Sequence, residues 1–216
     1  MPTRTLSEFE SKRLLGTYGV PTVEEALAVD EDAAAGVAAK IGFPVAVKLC
    51  AEGLAHKTER NLVRLGLADE PEVRAAAADL LALRGPGERD AVLLVQRMAR
   101  GRRELIAGLV RDGQFGRCVM LGIGGIFAEV LGDVVFRLVP LSRRDALEMM
   151  DDLGASRVLA PFRGEPAVDR GAVAAVLLGL ARLSEERRDV VSVDVNPLIV
   201  TGSSLVAVDA LVEVEA

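Results

Sequence analysis

The chain of 216 residues contains no tryptophan, one tyrosine, six phenylalanines, two cysteines and a single histidine. With aromatics this scarce, alanine, valine, leucine and glycine supply most of the hydrophobic half, a composition typical of mixed α/β proteins with small-residue packing. Two cysteines, Cys50 and Cys118, are too few for a disulfide framework, and no C-x-x-C pair occurs. A basic excess is also missing. The formal charge of −6 argues against general affinity for nucleic acid or anionic membrane, while leaving room for a local basic site. No apolar run reaches the roughly 18 residues of a membrane span, and the start has no signal-peptide pattern. These absences point to a soluble protein in a reducing, cytoplasmic setting. The length suffices for one domain or two tightly joined lobes.

The pattern along the chain alternates helices and strands without an internal repeat or a disordered linker. Ser7 and Glu10 read as a capping box opening a helix that ends near Tyr18, before Gly19. A short strand within residues 22–29 precedes an alanine-rich helix capped by Asp30 and ending near Gly42. Pro44 to Cys50 is a compact strand, and Glu72 to Arg84 has helical spacing that stops at Gly85-Pro86-Gly87. Further strands are expected at 91–96, 104–111, 117–122 and 134–139, and helices at about 142–153 and 168–187. A hairpin, 192–200 with 204–209, closes the chain. The two groups of strands, each with helices, predict an α+β (α/β) fold of two lobes with a cleft between them, at approximately 1–95 and 96–216.

Four features carry chemistry on this frame. Alternation puts Asp194 and Asn196 on one face of a strand, and the turn at Gly202 allows Asp209 to lie across from Asn196. Two carboxylates and an amide oxygen suit a hard cation such as Mg²⁺; the bland alternative is a strand end broken at Pro197 with Asp209 merely exposed. Lys48, inside Val45-Ala46-Val47-Lys48-Leu49, requires either a solvated face or an anion. His56 falls in a loop beside Lys57, as a nucleophile in phosphoryl transfer or simply as a surface residue. The run Gly122-Ile123-Gly124-Gly125 fits neither a Walker loop nor a dinucleotide fingerprint, and serves either an anion-binding nest or a tight crossover.

Taken together these segments resemble the β subunit of the ADP-forming (NDP-forming) acyl-CoA synthetases, an ATP-grasp family related to the β subunit of succinyl-CoA synthetase. The resemblance runs through Leu6–Pro21, Phe43–Lys48, the His-Lys-Thr-Glu of 56–59, Asp112–Gly116, 122–130, Phe136–Leu141 and Asp194–Leu198. It implies an ATP-grasp fold and the reaction acyl-CoA + phosphate + ADP ⇌ acid + CoA + ATP. It implies ATP/ADP and Mg²⁺ as cofactors, and a separate CoA-binding α subunit in an α2β2 hetero-oligomer. By the same resemblance Lys48 contacts phosphates, and Gln96 and Met98 lie in the hinge bordering the adenine. Glu104 takes the acidic position after that hinge, with Gly124 and Gly125 also at the nucleotide. Asn196 and Asp209 match Mg²⁺ ligands, His56 the phosphate-relaying histidine, and Asp194 the acid that steadies it.

The chain departs from relatives after Glu59, where a residue and paired glycines are common and Arg60-Asn61-Leu62 stands instead. Lost glycines restrict the backbone, whereas Arg60 adds a compensating charge or marks a changed role. Two other functions therefore remain open on sequence: a catalytically reduced ATP-binding regulatory subunit, and an ATP-grasp carboxylate–amine ligase.

Overall fold

The computed structural model describes residues 2–54, 60–125, 132–161 and 164–216. In chain order its elements are β1 (Thr3–Thr5), α1 (Glu8–Thr17), β2 (Glu25–Ala28), α2 (Glu31–Ile41), β3 (Val45–Cys50), β4 (Val63–Leu67), α3 (Glu70–Ala82), β5 (Val92–Arg97), β6 (Arg103–Asp112), β7 (Gly116–Ile123), β8 (Val134–Leu138), α4 (Arg143–Asp152), a 3-10 turn (Ser156–Leu159), α5 (Arg170–Glu186), β9 (Val190–Thr201), β10 (Ser204–Ala207) and β11 (Ala210–Glu215). The expected helices and strands are present. β1, β4 and β11 were not anticipated; β1 and β4 are short and of mixed polarity, whereas β11 does alternate, burying Ala210, Val212 and Val214. Among the described residues no helix is long and apolar enough to cross a membrane.

Two compact units divide the chain. The smaller comprises Thr5–Glu10 and Val23–Met98. Its antiparallel sheet runs β2-β5-β3-β4. Asp30 accepts from the Ala33 N–H to start α2, and Gly42, at φ 87°, ends it. Asp69 caps α3 in the same way. Alanines on both helices allow close approach to the sheet. Ala34, Ala35, Ala38, Val73, Ala77 and Leu80 share one core with Val45, Val47, Leu49, Leu93 and Val95. Alternation then sends Ala46, Lys48, Cys50, Leu94 and Gln96 to the other face of the sheet, where they too are buried.

The larger unit holds residues up to Arg4, Ser11–Thr22 and Ala99–Ala216. The expectation placed the whole N-terminal helix with residues up to 95; instead, α1 from Ser11 onward groups with the C-terminal half. The reason is visible in its contacts. Ser11 accepts from the Val212 N–H, Lys12 donates to the Val208 carbonyl, and a Cβ on Gly179 would stand 2.2 Å from the Tyr18 carbonyl oxygen. Among the described residues this unit has a seven-stranded sheet, β1-β11-β9-β6-β7-β8, with β10 paired to β9.

Directly opposed residues in an antiparallel pair share a face, so the register sorts this sheet into two sides. Leu105, Ala107 and Leu109 of β6, Val119 and Leu121 of β7, and Val193 and Val195 of β9 are buried on the side that α5 covers. Glu104, Ile106, Gly108, Val110, Met120, Asp194 and Asn196 belong to the opposite side, which is more open. Proline cannot donate within a central strand, and β9 is flanked by β6 and β11. The register shifts where Asn196 and Pro197 face Ile106, a bulge that accommodates it.

Candidate functional site

The acidic hairpin forms as its alternation requires. Val193, Val195 and Leu198 turn into the core while Asp194 and Asn196 stay exposed. Asp209 is not on the returning strand as expected. It sits between β10, which ends at Ala207, and β11, which starts at Ala210. The crossing nevertheless holds: the Asn196 N–H donates to the Asp209 carbonyl at 3.3 Å, and the Val208 N–H to the Pro197 carbonyl at 3.2 Å. The break lets the chain change partners on β9 at this point, and leaves Asp209 only half-buried.

Asp194 pairs across the sheet with Gly108 on one side and Leu211 on the other. A Cβ on Gly108 would lie 2.9 Å from the Val193 carbonyl oxygen and 3.3 Å from the Met120 Cε, so only glycine fits beside the aspartate. The Asp194 side chain reaches solvent yet is closely surrounded. That partial desolvation, then the nearby Asp209 carboxylate, pushes its pKa above the ordinary carboxylate value. Like-charge pressure of this kind is relieved by a cation. Among the described residues no group of three or more His, Cys, Asp or Glu side chains could hold a metal unaided. Asp194 and Asp209 nevertheless bring two carboxylates near the Asn196 amide, oxygen donors of the kind that a hard cation shares with phosphate.

Glu104, Gly124 and Gly125 also come together. The Gly124 N–H donates to the Glu104 carbonyl at 2.7 Å, and a Cβ there would stand 3.0 Å from the Glu104 Cβ. Gly125 follows at φ 82°, open to glycine, facing the Glu104 carboxylate. Glu104 lies opposite Ile199 in β9, farther along the strand than the acidic cluster. The remainder of the glycine-rich run, from 126, falls outside the described residues.

In the smaller unit, Lys48 and Gln96 share the face of the sheet turned away from α2 and α3, and both are buried. Sequence reasoning offered Lys48 a solvated face or an anion. The structure supplies an anion from the chain: Lys48 Nζ is 2.6 Å from Glu8 Oε1, with 6% and 1% of the two side chains exposed. Glu8 went unnoticed because a glutamate in the first turn of a helix is ordinary. The signal was the lysine, whose setting in an apolar strand demanded a counter-charge. Met98 follows β5, with its N–H donating to the Pro44 carbonyl at 3.3 Å.

His56 and Lys57 lie outside the described residues; the loop that follows them does not. Asn61 adopts φ 56°, the left-handed region that a glycine would enter freely and that asparagine enters more readily than most residues. Arg60 is occupied in a two-pronged bond to Glu88, at 2.5 and 3.0 Å, which lowers the glutamate's pKa. Leu62 is buried, and its carbonyl accepts from the Leu49 N–H at 3.0 Å. The departure thus keeps a glycine-like bend at 61 and directs the arginine's charge to the protein itself.

Comparison with known proteins identifies the family of the chain. The model of the ATP-grasp domain matches residues 2–214. The chain is 36% identical to the acetate–CoA ligase [ADP-forming] I subunit beta of Pyrococcus furiosus, over 96% of this chain and 90% of that one. It is 37% identical to the acetate–CoA ligase [ADP-forming] I of Archaeoglobus fulgidus, over 93% of this chain but 30% of the relative. In structure it resembles the dinucleotide-forming acetyl-coenzyme A synthetase 1 of Ca. Korarchaeum cryptofilum, solved with coenzyme A, Ca-AMPCP and HgCl+. There the TM-score is 0.91 at 35% identity, covering 98% of this chain and 94% of that chain.

Proposed function

The chain belongs to the ATP-grasp family, and on that premise we propose that it is the nucleotide-binding β subunit of an ADP-forming acyl-CoA synthetase. The observation that carries this reading is the acidic hairpin: Asp194 and Asn196 project from the open side of β9, with Asp209 across from Asn196. The reaction is acyl-CoA + phosphate + ADP ⇌ acid + CoA + ATP. This chain performs its last step, in which the phosphorus–nitrogen bond of phosphorylated His56 breaks as a bond forms to the terminal phosphate oxygen of ADP.

Each assigned residue has a physical task. The Asn196 and Asp209 side chains hold Mg²⁺, which when bound neutralises phosphate charge. Lys48 contributes a further positive charge to the phosphates. Gln96 and Met98 border the adenine, and Glu104, Gly124 and Gly125 line the nucleotide. Asp194 orients the His56 imidazole and favours its cationic form. Phosphoryl transfer needs little beyond such positioning and charge stabilisation.

The acyl and CoA chemistry belongs to a separate α subunit, in an α2β2 assembly in the cytoplasm. Support comes from the relatives: the Pyrococcus chain is named a beta subunit, and the Archaeoglobus chain contains a matching stretch within a protein over three times longer. These relatives favour a synthetase over a regulatory subunit or a carboxylate–amine ligase.

The test is phosphoryl transfer from γ-labelled ATP with Mg²⁺, with and without the CoA-binding partner, comparing wild type with His56→Ala. An acid-labile, base-stable label on the wild type alone is the expected result. Tight ATP binding that never yields label, even with the partner present, would overturn the relay and leave a binding subunit.

A further inference from the structure

We propose that Glu8 is a positioning residue for nucleotide binding, its carboxylate fixing the Lys48 ammonium where phosphate meets it. The proposal rests on the reading of Lys48 as a phosphate contact. Three observations support it. The bond is short, 2.6 Å, and both side chains are buried. A buried ion pair is generally no more stable than well-packed apolar residues in its place, so fold stability alone does not explain one inside an apolar strand. Glu8 itself is held firmly. It occupies the first turn of α1, whose start is set by Ser7 and Glu10. The Glu10 N–H donates to Ser7 Oγ at 3.3 Å, and the Ser7 N–H and hydroxyl both donate to Glu10 Oε2, at 3.2 and 2.7 Å.

A lysine side chain has four rotatable bonds, and an ammonium has three donors. One bond to a fixed carboxylate sets the position of the nitrogen and the directions of its other donors. Phosphate arriving at such a group need not order it, and the binding that would be lost to ordering is retained. The same logic applies in protein kinases, where a strand lysine that holds nucleotide phosphates is set by a helix glutamate. Lys48's face of the sheet also carries Cys50 of the same strand, Leu94 and Gln96 of β5, and a second carboxylate, Glu25 of β2, opposite Gln96 in register and two strands away from Lys48.

The test measures binding of adenosine, ADP and ATP to the full-length chain and to Glu8→Gln, Glu8→Asp and Lys48→Met, by ligand-observed NMR and calorimetry. Adenosine has no phosphate, so its affinity reports whether a variant is folded with an intact base site. Glu8→Gln is expected to weaken ADP and ATP about tenfold while adenosine stays within about twofold, since only phosphate needs the oriented ammonium. Glu8→Asp keeps the charge but draws the carboxylate back by one methylene, and is expected to lose about threefold for ADP and ATP alone, less than Glu8→Gln. Should Glu8→Gln not fold, Glu8→Asp alone decides: a threefold or greater loss confined to ADP and ATP supports the proposal, and equal affinities overturn it. Unchanged or tighter ADP binding by folded Glu8→Gln also overturns it, tighter binding marking Glu8 as a competitor of phosphate. Lys48→Met separates the two layers. If it binds ADP like wild type, the phosphate role of Lys48 fails and this inference with it. If it loses ADP while Glu8→Gln does not, only the positioning role fails.

Discussion

The four-stranded and seven-stranded sheets hold their charges in opposite ways. In the smaller unit the cation, Lys48, is buried and neutralised by Glu8 at 2.6 Å. In the larger unit the anions Asp194 and Asp209 stay at least partly open to solvent, close enough that one raises the pKa of the other. Water screens exposed like charges, so repulsion can be tolerated at the surface; a buried ammonium has no such screen and needs a partner in the chain. A positive site can therefore be stored inside a sheet only as a pair, whereas an acidic site can be stored on an open face until a cation arrives.

The largest effect expected from this contrast is on Lys48→Met. It leaves the Glu8 carboxylate buried without its ammonium and should destabilise the fold by about 3–5 kcal/mol, measured by urea unfolding. Adding Glu8→Leu to that variant removes the orphaned charge. The double variant should return to wild-type stability or gain about 1 kcal/mol, while ADP affinity stays low. A double variant no more stable than Lys48→Met would break the contrast. On the open face, Asn196→Ala should leave stability within about 0.5 kcal/mol, as for most exposed positions, and weaken Mg·ATP binding about tenfold. Calorimetry with Mg²⁺ and with EDTA separates the metal-dependent part.

A small gain in stability is expected of Asp194→Asn, which removes the desolvation of a charged carboxylate and its repulsion by Asp209 and should raise Tm by about 1–2 °C at neutral pH. Because the folded-state pKa of Asp194 lies above its unfolded value, wild type loses stability as pH rises through the interval starting near 3.9. The advantage of the asparagine variant should thus vanish below about pH 3.9. Phosphoryl transfer by the same variant should fall sharply, since an amide does not stabilise an imidazolium.

Much of the fold was legible because caps and periods are local. Ser7, Asp30 and Gly42 mark helix ends in the sequence and do so in the structure. The acidic hairpin was legible for the same reason: alternation and one turn brought Asn196 opposite Asp209. What escaped depends on contacts distant in sequence. Glu8 reaches Lys48 across forty positions, and Ser11 ties α1 to β11 over 201. No pattern within a window of a dozen residues encodes either. Gly108 was overlooked because a glycine within a strand is ambiguous until its register partner, here Asp194, is known. The meaning of Asn61 was hidden as well, since whether a lost glycine matters depends on the backbone angle at that residue.

The reciprocal bonds between Ser7 and Glu10 do more than begin a helix. They fix the rotational phase of α1, and each residue added to a helix advances that phase by about 100°. A substitution at Ser7 that preserves capping, such as Asp or Thr, leaves Glu8 aimed as before. A one-residue insertion between Glu8 and Phe9 would turn the carboxylate by about 100° against the rest of the helix, though every side chain were kept. The electrostatics of Lys48 are in this sense written in the spacing of a four-residue motif, and length changes there should be tolerated far less than changes of composition.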